Sequence, residues 1–259
     1  MTADRAELKR RLRSGAFAAW TSIGHPSITE IFAASGVDFI GIDIEHSTIS
    51  LADSQRIIAA AHGAGVACLP RIASHNGEHM KRLCDAGADG LIVPMVSTPA
   101  EVQHIVNWSK YPPLGKRSYG VASAQGYGFE FERYAKTWND VSTLVIQIES
   151  IAGVEAVDEL IAHPAVDAAM IGPYDLSGSL GIPGQLDDPR VTEACARVVD
   201  ACRKQGRACG THLVDPTEDQ VAAAFAAGYT FVVLASDVFI LWKWGERARR
   251  LVALRRPSR

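Results

Sequence analysis

Short apolar, β-branched runs recur along the chain, each followed by a stretch in which apolar residues return at helical spacing. Eight runs read as strands, at residues 17–22, 39–43, 67–71, 90–93, 143–148, 168–171, 208–211 and 231–235. None alternates apolar with polar, which is the pattern of parallel strands covered on both faces. Between them, residues 51–64, 98–109, 153–161, 191–205 and 217–227 read as amphipathic helices. The helix-to-strand joints resemble one another: Ser35-Gly36-Val37-Asp38, Ala86-Gly87-Ala88-Asp89 and Ala227-Gly228-Tyr229-Thr230, with Gly65 and Gly206 in the same place. Each sets a glycine just past a helix, where the chain turns through left-handed space. The 22 residues from Gly65 to Gly87 recur from Gly206 to Gly228, which is one strand-plus-helix unit. Eight right-handed units close into a (β/α)8 TIM barrel. An open doubly wound sheet is the alternative. Against it, Ser22-Ile23-Gly24-His25-Pro26 lacks the glycine fingerprint of a dinucleotide fold.

One stretch breaks the rhythm. Residues 111–128 carry Pro112, Pro113, Gly115, Gly120, Gly126 and Gly128, and a helical piece at 129–139 follows. An insert of this length is a lid, an interface loop or an inert excursion. With no linker and no shift in composition, the reading is one domain over 1–259 with an insert at about 111–139.

Composition adds exclusions. The chain has 259 residues, 47% hydrophobic and 21% charged, with formal net charge −3. Such a chain is not disordered, and its charge gives no footprint for nucleic acid or an anionic membrane. No apolar run approaches the ~20 residues of a membrane span. Residues 1–13 are charged and helical, without a signal-peptide core. The five cysteines (Cys68, Cys84, Cys195, Cys202, Cys209) show no C-x-x-C spacing and read as small buried apolar residues. A reducing cytoplasm follows as the expected compartment.

A parallel barrel carries its active site at the C-terminal strand ends. These ends hold Asp43, Glu45 and His46 after strand 2, Arg71 on strand 3, and Gln147 and Glu149 on strand 5. Gly172-Pro173-Tyr174-Asp175 follows strand 6, Thr211 and His212 end strand 7, and Ser236 and Asp237 end strand 8. Glu149 and Asp175 lie on neighbouring units and could share Mg²⁺ or Mn²⁺; satisfaction by Arg or backbone N–H groups weighs equally on pattern alone. Arg71 could grip a carboxylate in two parallel hydrogen bonds, or sit in a salt bridge of the mouth, such as one to Glu149. His46 could exchange protons near neutral pH, or be a neutral loop histidine. His75 and His79 are spaced for a metal, but Gly77 between them favours solvent-facing side chains. Gly178-Ser179-Leu180-Gly181 reads as a turn, and the basic residues from Arg247 to Arg259 as the solvated face of a last helix. No lysine falls at a strand end, which disfavours a Schiff-base mechanism.

The runs Phe39-Ile40-Gly41-Ile42-Asp43-Ile44-Glu45-His46, Gly90-Leu91-Ile92-Val93-Pro94-Met95-Val96, Tyr111-Pro112-Pro113, Gln147-Ile148-Glu149 and Ile171-Gly172-Pro173-Tyr174-Asp175-Leu176-Ser177 resemble the HpcH/HpaI aldolase family, in order over nearly the whole chain. The resemblance implies a (β/α)8 barrel whose last helix is exchanged between subunits of a homo-hexamer. It implies a divalent metal (Mg²⁺, Mn²⁺ or Co²⁺) on Glu149 and Asp175, and no organic cofactor. It places Arg71 and Gln147 at pyruvate, with Gly172, Pro173, Tyr174 and His212 lining the substrate pocket. It makes His46 the acid/base residue, paired with Asp85 of the same or a neighbouring chain, and His46 or a metal-bound water the base. The activity implied is reversible cleavage of a 4-hydroxy-2-oxo acid to pyruvate and an aldehyde. A citryl- or malyl-CoA lyase, with Lys116 and Arg117 at the mouth for the coenzyme, and a non-enzymatic binding barrel are the alternatives. Ile72-Ala73-Ser74-His75-Asn76, Tyr174, His212 and the loop at 118–128 depart from the family pattern and leave the aldehyde partner open.

Overall fold

The computed structural model describes residues 5–255; the basic positions Arg256 and Arg259, and residues 1–4 of the opening segment, lie outside the described residues. Eight parallel strands close into a barrel in chain order: β1 (Ala16–Thr21), β2 (Phe39–Asp43), β3 (Ala67–Arg71), β4 (Gly90–Val93), β5 (Thr143–Ile148), β6 (Ala168–Ile171), β7 (Ala208–Leu213) and β8 (Phe231–Ser236). β1 pairs with both β2 and β8, so the open-sheet alternative is excluded. β7 and β8 extend beyond the sequence reading, toward the mouth. The helix expected over 153–161 is broken at Ala156 into α7 (Ile151–Glu155) and α8 (Val157–Ala162).

Alternate residues of each strand serve two cores. Inside the barrel lie Ala18, Trp20, Phe39, Leu69, Ile92, Val145, Met170, Phe231 and Val233. Their neighbours Ala19, Ile40, Ile42, Cys68, Leu91, Ile146 and Ile171 pack outward against the helices. Two inward positions must be glycine. A Cβ on Gly41 would stand 2.2 Å from the Trp20 ring, and one on Gly210 would stand 2.1 Å from the Phe231 ring.

The first helix, α1 (Arg5–Leu12), closes the N-terminal end of the barrel. Leu8 and Leu12 join the interior cluster. Around them Arg5 meets Asp89 at 2.7 Å, Lys9 meets Asp167 at 3.1 Å, and Arg11 pairs with Asp38. Each carboxylate also accepts a backbone N–H near the start of a strand: Asp38 from Phe17, Asp89 from Cys68 and Asp167 from Leu144.

The insert follows α5 (Pro99–Ser109) and includes a 3-10 segment (Ser123–Gly128) and α6 (Phe131–Val141). Its inner part is packed around Arg117, which is 1% exposed. The guanidinium bonds Asp85 at 2.6 Å and the Tyr134 hydroxyl at 3.2 Å, and its carbon stands 4.7 Å from the Tyr111 ring and 4.8 Å from that of Trp138. The expectation of Arg117 as a basic contact for a coenzyme is therefore corrected: a coenzyme cannot reach it. The outer part of the insert exposes Tyr119, Val121, Tyr127 and Phe129.

His75 and His79 are half-buried rather than solvent-facing. Asn76 caps α4 (Gly77–Asp85), so only His79 lies on the helix, and the His75 ring bonds the Pro94 carbonyl at 2.7 Å. The five cysteines are free, four of them buried.

Removing one barrel-end carboxylate leaves a strand N–H, Arg5 and His62 without their shared partner. Asp89→Ala is expected to destabilise the protein by about 2–4 kcal/mol. Glu130→Ala, which breaks an exposed pair with Arg133, should change stability by less than about 1 kcal/mol. Urea unfolding of both variants measures the difference.

Candidate active site

The mouth is built on Trp20, the inward residue near the end of β1. The Arg71 guanidinium carbon stands 5.1 Å from the Trp20 ring. Arg71 donates through Nη2 to Asp43 at 2.8 Å, and its Nη1 meets Glu45 at 3.2 Å. Asp43 further accepts the His46 backbone N–H at 3.0 Å and bonds the Trp20 side chain. Burial opposes ionisation of Asp43, but the Arg71 charge and these donors hold its carboxyl below the ordinary carboxylate range. Arg71 thus pairs with Asp43 and Glu45, not with Glu149 as one sequence reading allowed. Its fork is fixed on an aromatic plane at the end of a buried strand.

Glu149 follows β5 and is 4% exposed. Oε2 accepts the Met95 N–H at 2.9 Å and Oε1 accepts from the Gln147 side chain at 3.0 Å. Two backbone features fit this carboxylate. Met95 adopts φ 55, a left-handed conformation uncommon for a side-chain-bearing residue. Gly172 leaves room, since a Cβ there would lie 2.6 Å from Glu149 Oε1. Burial first, then repulsion from Glu45 and Asp175, raises the Glu149 pKa to about 7. Glu45 is raised by burial and by Asp43 and Asp175, against the pull of Arg71 and His46. Asp175 lies in the first turn of α9 (Pro173–Ser179), next to the exposed Tyr174.

This donor set fits a hard divalent cation. Three mutually repelling carboxylates face one region, and the buried Gln147 Oε1 has no hydrogen-bond partner. Among the described residues no three His, Cys, Asp or Glu side chains gather closely enough to hold a metal alone. A two-carboxylate site that leaves positions to water and substrate meets that description.

The other expected residues divide. His46 is at the mouth, its imidazole exposed and 3.7 Å from Glu45. Asp85 is not beside it: within the chain that carboxylate is taken by Arg117. His212 lies in the mouth, its ring 5.5 Å from that of Trp20. Ser236 and Asp237 are structural. Ser236 caps α12 (Asp237–Ala253), while Asp237 accepts from Thr21, Ser22 and Ile23 and anchors the loop after β1. Lys110 is the amine that burial depresses, to about 8, but it bonds Ser142 just before β5, at the opposite end of the barrel. Sequence reasoning did not assign Trp20, or roles for Asp43 and Glu45 beyond their polarity. The signal for Trp20 was an aromatic facing Gly41 across a strand pair.

Comparison with known proteins identifies the family and agrees with the fold. The family model for HpcH/HpaI aldolase/citrate lyase matches residues 16–243. The chain is 36% identical to a hydroxypyruvate/pyruvate aldolase of Paraburkholderia phytofirmans over 256 residues, 94% of each chain. It is 33% identical to a 2-keto-3-deoxy-L-rhamnonate aldolase of Escherichia coli K12 over 238 residues, 90% of this chain and 87% of the relative. A crystal structure of an HpcH/HpaI aldolase/citrate lyase family protein from Burkholderia cenocepacia superposes with TM-score 0.88 at 31% identity, covering 95% of this chain and 99% of that one.

The raised pKa of Glu149 has a consequence for stability. Folding favours its protonated form, so that stability is present below pH 4.5 and is lost as pH rises through about 7. In chelator, Glu149→Gln should therefore be more stable than the parent above pH 7, by up to about 3 kcal/mol, and should converge with it toward pH 4.5. Denaturant melts at several pH values measure the gap.

Proposed function

The chain belongs to the HpcH/HpaI aldolase/citrate lyase family and is a carbon–carbon lyase of the pyruvate aldolase class; from that premise we propose how its own residues act and which of them hold the metal. The substrate is a 2-oxo acid with a hydroxyl at C4, cleaved reversibly to pyruvate and an aldehyde. The observation that carries this reading is the crowding of Glu149, Glu45 and Asp175 beside the fixed Arg71 fork. Glu149 and Asp175 hold the divalent ion, Mg²⁺, Mn²⁺ or Co²⁺. When bound, such an ion supplies Lewis acidity toward the 2-oxo acid. Arg71 places positive charge where the oxygen at C2 becomes an enolate, and its position is set before substrate arrives. Gln147, through its free Oε1, orients groups on the same side. Gly172, Pro173, Tyr174 and His212 border the aldehyde half. His46 takes the 4-hydroxyl proton as the C3–C4 bond breaks; its electron pair passes into the C2 carbonyl, and a proton delivered to C3 completes pyruvate.

A homo-oligomer, a hexamer by family resemblance, is part of the proposal. Only Asp237 of the seventeen residues in α12 is buried, and Val238, Ile240, Leu241, Trp242 and Trp244 are about half exposed. A face this apolar on a terminal helix fits exchange with a neighbouring subunit. His46 and Asp85, apart within the chain, would pair across such a contact. The five free cysteines support residence in a reducing cytoplasm. Among the described residues no helix is long and apolar enough to cross a membrane. A coenzyme-thioester reading loses ground with the burial of Arg117.

Coupled detection should record pyruvate release that chelation stops and Mg²⁺, Mn²⁺ or Co²⁺ restores. Activity that survives chelator and is trapped by borohydride would overturn the metal reading. Arg71→Ala should lower kcat/KM by about 10²–10³. Glu149→Gln and Asp175→Asn should lose Mn²⁺ in a direct binding titration.

If His46 and Asp85 pair between subunits, inactive His46→Ala and Asp85→Ala chains should regain activity when unfolded and refolded together. Mixed assemblies that stay inactive, while the parent recovers under the same protocol, would rule the cross-subunit pair out. Trp242→Glu with Trp244→Glu should reduce the solution mass measured by light scattering toward 27.8 kDa.

A further inference from the structure

His212, placed above only as a border of the pocket, carries a ring nitrogen to which the reaction described above gives no role. Gly210 faces the barrel interior, because a Cβ there would meet Phe231. Two residues on along β7, His212 faces the same way, between the rings of Trp20 at 5.5 Å and Phe239 at 6.0 Å. Its Nε2 is buried and has no hydrogen-bond partner. The Ala235 backbone carbonyl favours a proton on the ring, and with Nε2 unpartnered that proton is the one on Nδ1. Ala235 has φ 60, in the left-handed region, at the irregularity where β1 pairs with β8. A side-chain-bearing residue is rarely kept there without a reason.

These contacts fix the hydrogen-bonding character of the free nitrogen. With Nδ1–H donated to a carbonyl, a neutral imidazole presents Nε2 as an acceptor. Burial, then the nearby Arg71 charge, depresses the His212 pKa to about 4, so the ring is neutral at working pH. A buried acceptor without a donor is costly, and an apolar side chain would fill the space without that cost. The missing partner must therefore donate. Arg71 close by disfavours a cationic partner, so the donor is uncharged, and on the substrates of an aldolase an uncharged donor is a hydroxyl.

We infer that His212 Nε2 accepts a hydrogen bond from a substrate hydroxyl adjacent to a carbonyl, and so makes the enzyme prefer hydroxylated substrates. This rests on the aldolase reading and adds a specificity-determining residue to it. The hydroxyl has two possible sources, C3 of a 2-oxo acid such as hydroxypyruvate or C2 of an aldehyde such as glycolaldehyde.

The test measures kcat/KM for four condensations, pyruvate or hydroxypyruvate with acetaldehyde or glycolaldehyde, in the parent, His212→Leu and His212→Gln. The parent should favour the hydroxylated member of one pair. His212→Leu should lose roughly tenfold on that member and less than about twofold on its unhydroxylated counterpart. His212→Gln, which retains an acceptor, should restore most of the preference. Loss confined to hydroxypyruvate assigns the hydroxyl to the 2-oxo acid, and loss confined to glycolaldehyde assigns it to the aldehyde. Equal loss on all four pairs in both variants, or an unchanged preference in His212→Leu, would overturn the inference. Should the parent catalyse none of the four, the aldolase reading is judged separately by the pyruvate-release assay above. Calorimetric binding of hydroxypyruvate and glycolaldehyde, each against its unhydroxylated counterpart, then decides the role of His212: an advantage present in the parent and absent in His212→Leu supports it, and no difference ends it.

Discussion

The guanidinium of Arg71, laid on the Trp20 indole and bonded to Asp43 and Glu45, organises the mouth of this barrel. Trp20 can occupy the interior because Gly41 on the adjacent strand has no side chain. Asp43, two residues beyond Gly41, faces the same way and receives the fork. The His212 ring also stands 5.5 Å from that of Trp20, tilted against it. One strand-pair accommodation, glycine opposite tryptophan, therefore sets the height and direction of the cation proposed to meet the 2-oxo acid. Because neighbouring carboxylates already satisfy the fork, little reorganisation remains when charge develops on the substrate.

The two ends of the barrel use charge for opposite purposes. At the N-terminal end Asp38, Asp89 and Asp167 are each matched by a cation of α1 and by a strand N–H. Buried charge that is paired and hydrogen-bonded fixes structure. At the C-terminal end Glu149, Glu45 and Asp175 repel one another, and Arg71 offsets them only in part. Burial first, and then this imbalance, raises the Glu149 pKa, and the crowding suits a divalent ion. A left-handed Met95 and a glycine at 172 adapt the backbone to the Glu149 carboxylate. The insert contributes in a third manner, with Arg117 consumed by Asp85 and three aromatic rings.

Periodicity and punctuation were enough to read eight strands, their order and, with small shifts, their ends. An apolar run buried on both faces has no other comfortable setting, and a glycine after each helix marks where the chain must reverse. The strand-end position of Glu149, Arg71, His46 and His212 was legible for the same reason. The family motifs added an activity that no local pattern carries. The bottom carboxylates were also visible, as an aspartate two residues after Gly36 and Gly87, yet they read only as part of a turn. Their partners are on α1, far away in sequence.

What the tertiary structure decided is who meets whom. The sequence offered Glu149 as a salt-bridge partner for Arg71, and only the strand register and the tryptophan plane turn it toward Asp43 and Glu45. Asp85 was expected beside His46 and Arg117 was weighed as a coenzyme contact, but within the chain packing brings them to one another. Broken spacing, Asn76 as cap and Gly77 against Trp108, separates two histidines that looked like a pair. The chain by itself determines which positions are buried, because burial follows from local pattern. It does not determine the partners of buried charges, because those are set by long-range distances that appear only when the barrel closes.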